Sequence, residues 1–450
     1  MESDSLRTSQ PGCRHAICTR RSASGAVLDR TVRKKHPNPP SARKKSPRGA
    51  TMATDVQQPD AQFRQPEDGH QRPDTANAHP RSTHSAVTLA AMPFIKRASI
   101  VGPTLPDLKP AYTAATYEPV YHNLVDTLLT ANHPSKEVRH VLATCAGYAY
   151  GDERVLATMM TRLGLPKSRC YMLQVVVDAM FIVSTAYIVQ SQDGRVVMLC
   201  YRGTQPVNVV NWLTDLDADP AQVEYDLGDD HDERSRVHAG FYRNTRATRF
   251  AVIDVLQRAL EGWSIAEGSE ERIHPIEALY ITGHSLGGAM AILMTVMLHA
   301  QRRYRDIASV YRATYTFGQP MIGTPEFARA CEKLRLGSGD GLLQERIFRY
   351  VYGADVVPQL PPRESGRFQH FGVEYRCPRR RGGLPNQAWS RAHRHTSQTT
   401  GIGLLLGGVT MLTRQIALFR NLPWQQEIAD HGPHNYITAL TPKGIRSEFG

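Results

Sequence analysis

The chain has 450 residues, 41% hydrophobic and 21% charged, enough for about three domains at roughly 150 residues each. Its formal charge is +12, yet the first 50 residues carry twelve Lys/Arg against Glu2, Asp4 and Asp29, which is +9, and the next 50 are balanced. The remainder is nearly neutral, which excludes a basic nucleic-acid-binding core and assigns the basicity to a tail.

Residues 1–90 are rich in Ser, Pro, Arg, Gln and His, hold no apolar run long enough to bury, and read as disordered. No secretory apolar stretch is seen there, so the expected location is cytoplasmic or peripheral to membranes. Runs such as Arg33-Lys34-Lys35 and Arg43-Lys44-Lys45 would suit an anionic surface. The expected division is a basic tail, 1–95, and one folded domain, 96–450. Apolar residues then recur at three- and four-residue spacing over 117–131 and 135–150, predicting two helices, with a third over 153–165 ended by Gly164 and Pro166. The apolar stretch 171–189 is long enough to cross a membrane but is broken by Gln174 and Asp178. It leads into a hairpin, with strands over 186–190 and 195–201 joined by Asp193-Gly194. A helix over 252–260, a short buried strand over 278–282 and a strongly apolar helix over 286–299 follow. After them come a strand at 312–317, a helix at 326–336 and a strand at 347–351. Strands alternating with helices predict an α/β fold with a mostly parallel sheet covered on both faces. The apolar segment 401–413 is too short to span a bilayer and contains four glycines. Seven scattered cysteines show no metal-ligand spacing and predict reduced thiols, and no metal or cofactor is expected.

The sharpest local feature is Gly283-His284-Ser285-Leu286-Gly287-Gly288, placed between the strand 278–282 and the helix 286–299. Small residues let the chain turn sharply there, presenting the Ser285 hydroxyl at a helix N-terminus where backbone N–H groups can meet an oxyanion. A serine hydroxyl needs a histidine base and an orienting carboxylate to act as a nucleophile. Asp355 follows the strand 347–351 directly and precedes the proline-rich loop 358–362, so it falls on the same rim as Ser285. The histidine stays open at this point: His370 competes with His431 and His434, while His393 and His395 read as surface.

These blocks together resemble the class 3, fungal-type triacylglycerol lipases of the α/β-hydrolase fold. Tyr201-Arg202-Gly203-Thr204 with Asn211-Trp212-Leu213-Thr214-Asp215-Leu216 is similar to the family's oxyanion loop and lid. Val237-His238-Ala239-Gly240-Phe241, the serine elbow, Thr316-Phe317-Gly318-Gln319-Pro320 and the Asp355 loop follow in the family's order. The resemblance implies that His431, in Asp430-His431-Gly432-Pro433-His434-Asn435-Tyr436, is the base, with His434 in reserve and His370 structural. It implies oxyanion donors at Thr204 and Leu286, and substrate or lid contacts at Trp212, Leu213 and His284. The segment 376–422 is longer than in the compact fungal enzymes and is expected to shape substrate access. The implied activity is hydrolysis of acylglycerol-type lipid esters at a membrane or droplet surface, without specific nucleic acid. The alternatives are a phospholipase A1-type enzyme, a general carboxylesterase, or a non-catalytic lipase-like scaffold.

Overall fold

A computed structural model of the chain describes residues 94–104, 118–177, 182–203, 220–228, 234–339, 341–379, 389–399 and 429–445. All of these lie within the unit Ser85–Gly450. The tail, Thr204, the lid residues Trp212 and Leu213 and the apolar segment 401–413 fall outside the described residues.

Nine strands form the main sheet: β1 (Phe94–Val101), β2 (Arg169–Val177), β3 (Ile182–Gln190), β4 (Val196–Tyr201), β7 (Ala278–His284), β8 (Tyr311–Phe317), β9 (Ile347–Tyr352), β10 (Val373–Cys377) and β11 (Ser390–Arg391), in that spatial order. Two short strands, β5 (Pro220–Gln222) and β6 (Arg236–His238), pair separately. The pairings β4–β7, β7–β8, β8–β9 and β9–β10 are parallel. The first three pairings and β10–β11 are antiparallel, which makes the sheet mixed with a parallel centre. The stretch tested as a membrane span resolves into β2 and β3, which pair with each other from Arg169↔Gln190 onward. No described helix is long and apolar enough to cross a membrane.

Period-two alternation explains why both faces are covered. Val197, Leu199 and Tyr201 of β4 enter one core with helices α4 (Ala239–Leu260) and α5 (Leu286–Ala300). Val196, Met198 and Cys200 enter the other core with α1 (Leu124–Thr130), α2 (Lys136–Tyr148), α3 (Glu153–Leu163) and the C-terminal α8 (Pro433–Leu440). Two shorter helices, α6 (Arg305–Ser309) and α7 (Pro325–Lys333), complete the first layer. Every residue of α5 except His299 is buried, as expected of a helix that is apolar all round. Local signals place the ends: Ser135 and Asp152 accept from Val138 and Val155 backbone N–H groups at the starts of α2 and α3.

Three expectations shift. β1 starts at Phe94, two residues before the boundary drawn at 95/96 from composition. α4 begins at Ala239 rather than 252, because its first half buries Phe241, Tyr242, Thr245 and Thr248 between charged residues and lacks a continuous apolar stripe. His370, read as part of a strand, sits in the loop before β10, with Gln369 making only an isolated bridge to Gly323.

Candidate active site

β7 is the fifth of the nine strands, inside the parallel block, and delivers its last residues, Gly283 and His284, to the C-terminal rim of the sheet. The chain then reverses at Ser285 with φ +58° and ψ −132°, a conformation that costs a non-glycine residue free energy and is tolerated where the surroundings enforce it. Two hydrogen bonds enforce it here. The Ser285 N–H donates to Phe317 O at 2.9 Å, and the Gly288 N–H donates to Ser285 O at 2.9 Å. Gly287 is required because a Cβ at that position would collide with the carbonyl of Tyr201 at the end of β4. Ser285 is 1% exposed, and its Oγ has no hydrogen-bond partner among the described residues.

Leu286 opens α5, so its N–H is one of the first-turn donors that no helical carbonyl satisfies, and it points with the helix dipole toward the rim. Gly203, at the start of the loop leaving β4, abuts the elbow: a Cβ there would lie 3.2 Å from Ser285 Cβ. Thr204 follows it directly, outside the described residues.

Asp355 and His431 are brought together from the loop after β9 and the loop before α8. His431 Nδ1 lies 2.9 Å from Asp355 Oδ2 and 3.1 Å from Oδ1, and both residues are buried. A carboxylate can only accept, so Nδ1 carries the proton, and in the neutral tautomer that fits this bond Nε2 is the acceptor. That Nε2 is buried and, like Ser285 Oγ, has no partner among the described residues. The Tyr436 hydroxyl donates to Asp355 Oδ2 at 2.5 Å and itself accepts from the Tyr352 N–H at 3.2 Å, while the Val357 N–H donates to Asp355 Oδ1 at 2.9 Å. Burial raises the Tyr436 phenol well above its ordinary value, and the neighbouring Asp355 adds to this, so the hydroxyl stays protonated. Asp430 joins the two loops once more by accepting from the Ala354 N–H at 3.0 Å.

The other histidines separate clearly. His434 is exposed on the first turn of α8. His370 is buried and donates through Nε2 to Pro358 O at 2.7 Å, bracing the loop that follows Asp355 without touching its carboxylate. His284, expected among the substrate contacts, is only 2% exposed, with both ring nitrogens engaged inside the protein. Its ring packs against those of His431 and Tyr436. Sequence reasoning did not single out Tyr150, the partner of His284: it sits just past the end of α2 with no local motif to mark it. Among the described residues no cluster of three or more His, Cys, Asp or Glu side chains is placed to hold a metal ion.

Residues 198–365 match the family model described as Lipase (class 3), a stretch that contains the elbow and Asp355. Among curated proteins, the triacylglycerol lipase OBL1 of Arabidopsis thaliana is 29% identical over 213 residues, covering 41% of this chain and 38% of the relative. A lipase of Rhizopus niveus is 28% identical over 191 residues, covering 42% and 41%. The chain thus spans about two fifths of the length of these curated relatives. Among solved structures, a lipase from Rhizopus microsporus var. chinensis aligns with 74% of this chain and 94% of its own at 19% identity, with a TM-score of 0.44.

Proposed function

Since residues 198–365 match the class 3 lipase family model, we propose that the chain is a serine hydrolase that cleaves carboxylic esters of acylglycerol-type lipids. The observation that carries this reading is the elbow serine, buried at positive φ, on the rim that also holds a buried Asp355–His431 pair, with Ser285 Oγ and His431 Nε2 both unpartnered among the described residues. Curated relatives named triacylglycerol lipase support the substrate class.

In this mechanism His431 Nε2 takes the proton of Ser285 as Oγ attacks the acyl carbonyl, and the resulting imidazolium is held by Asp355. The tetrahedral oxyanion is met by the Leu286 N–H at the helix end, where developing negative charge is stabilised, with Thr204 as the second donor that the family resemblance implies. Collapse expels the glycerol oxygen, which receives the proton from His431 and leaves an acyl-enzyme. Water, deprotonated by the same nitrogen, then releases the free fatty acid and restores Ser285. Segment 205–219, with Trp212 and Leu213, acts as a lid whose apolar side chains give the acyl chain a dry path to the serine.

A panel of p-nitrophenyl esters of increasing chain length, emulsified triacylglycerol and phosphatidylcholine, run with wild type and Ser285→Ala, tests the substrate class. The expected result is Ser285-dependent release of fatty acid from the triacylglycerol and the longer esters. Faster cleavage of phosphatidylcholine than of acylglycerol would reassign the enzyme to the phospholipase A1 type.

A further inference from the structure

We propose that His284 is a positioning residue for His431, holding the base through its main chain, and that Tyr150 fixes the tautomer in which it does so. The inference rests on the reading of His431 as the catalytic base.

His284 Nε2 lies 2.7 Å from the carbonyl oxygen of His431, and His284 Nδ1 lies 2.9 Å from the Tyr150 hydroxyl. The carbonyl can only accept, so Nε2 carries the proton; Nδ1 is then the bare nitrogen and accepts from Tyr150. Burial holds the His284 imidazole well below its usual range, and the neighbouring His431 ring pushes in the same direction, so the ring is neutral and only one tautomer fits. Burial likewise raises the Tyr150 phenol, which keeps its proton. The two imidazoles pack with centroids 4.5 Å apart, and Tyr436, the donor to Asp355, closes the other edge of His284 at 5.7 Å.

The consequence concerns register between distant parts of the chain. His284 is the last residue of β7 and the neighbour of Ser285, so its bond ties the strand that carries the nucleophile to the loop that carries the base. The Asp355–His431 pair fixes the orientation of the imidazole, whereas the His284 bond fixes where its backbone sits relative to Ser285. Tyr150 also touches the start of the oxyanion loop, since a Cβ on Gly203 would collide with its hydroxyl. One tyrosine–histidine pair therefore contacts the nucleophile strand, the base loop and the loop leaving β4. Replacing His284 by an apolar residue would strip the buried His431 carbonyl of its donor, and misplacement of a base by about an ångström costs on the order of a hundredfold in rate.

The test is steady-state hydrolysis of a soluble short-chain p-nitrophenyl ester by the full chain and by His284→Leu, His284→Gln and Tyr150→Phe, with thermal melts to confirm folding. His284→Leu is expected to lower kcat by about 10–100-fold with KM changed less than about twofold. His284→Gln, whose amide N–H reaches the same carbonyl, should recover most of that loss. Tyr150→Phe, which frees the His284 tautomer by removing one hydroxyl, should lower kcat to a lesser extent and decides the matter if His284→Leu does not fold. Unchanged kcat in folded His284→Leu or Tyr150→Phe, equal impairment of the Leu and Gln variants, or a loss confined to KM would overturn the proposal. No turnover by the wild type would instead remove the reading of His431 as base, and the proposal with it.

Discussion

Three donors converge on the Asp355 carboxylate: His431 Nδ1, the Tyr436 hydroxyl and the Val357 N–H. Their combined geometry restrains the carboxylate against the imidazole, and among the described residues His431 Nε2 and Ser285 Oγ are both buried without a hydrogen-bond partner. On this account His431→Ala lowers kcat by about 10⁴-fold or more while leaving the fold intact. His370→Ala, which deprives Pro358 O of its donor, costs about 1–3 kcal/mol of stability and leaves kcat within about tenfold. Kinetics and thermal melts on the two variants decide between them, and the reverse pattern would exchange their roles. At this scale the places of Ser285 and Asp355 in the fold were legible in the sequence, because glycines packed between a strand and a helix, and an acid between a strand and a proline loop, each have a local physical cause. The histidine was not: chain order left His370 level with His431 and His434, and only the resemblance favoured one of them. Nor was His284 legible as a buried brace, since nothing local shows that its ring turns toward a carbonyl 147 positions away.

Adjacent strands carry the support beneath the acid loop. Arg349 of β9 and Glu374 of β10 are register partners in the parallel pair, and their side chains form a buried ion pair. Burial pushes the Glu374 carboxyl up, but Arg349, the Thr396 N–H, His370 and Arg376 together outweigh it and hold the group at about 2, below its ordinary 4.5. A carboxyl depressed in the folded state contributes stability that is fully present above the unfolded value and is lost as pH falls through the folded one. Stability should therefore decline between about pH 4.5 and about pH 2 in the wild type. Glu374→Gln should flatten that part of the profile and cost about 3–5 kcal/mol at neutral pH, because it leaves a buried guanidinium without its carboxylate. Urea midpoints measured across this range check both; a variant as stable as wild type at neutral pH would show that the pair contributes nothing. Strands and helices with a clean apolar period, such as β7, α5 and β9, were legible in the sequence. The first half of α4 was not, because its buried face mixes aromatic rings with threonines, and β1 was missed because its eight residues alternate only weakly.

Over the whole molecule, charge and chemistry are segregated. The first 50 residues hold +9 of the net +12, whereas the rest of the chain is close to neutral and suits an uncharged ester. We propose that the basic segment directs the chain to anionic lipid surfaces and takes no part in the chemistry proposed above. Removing residues 1–90 should abolish salt-sensitive binding to vesicles containing phosphatidylserine and leave hydrolysis of a soluble short-chain ester unchanged. Vesicle binding that survives the deletion would take the tail out of the account. The mixed sheet was only partly legible, because helical alternation announces parallel strands while the antiparallel pair β2–β3 hides in one long apolar run. The central claim, that Ser285 is a nucleophile activated by His431 and Asp355, is tested most directly by labelling with a fluorophosphonate probe. The prediction is covalent modification of wild type at Ser285, absent from Ser285→Ala and strongly slowed in His431→Ala. A folded wild-type chain that takes up no probe, or one labelled equally after Ser285→Ala, would contradict it.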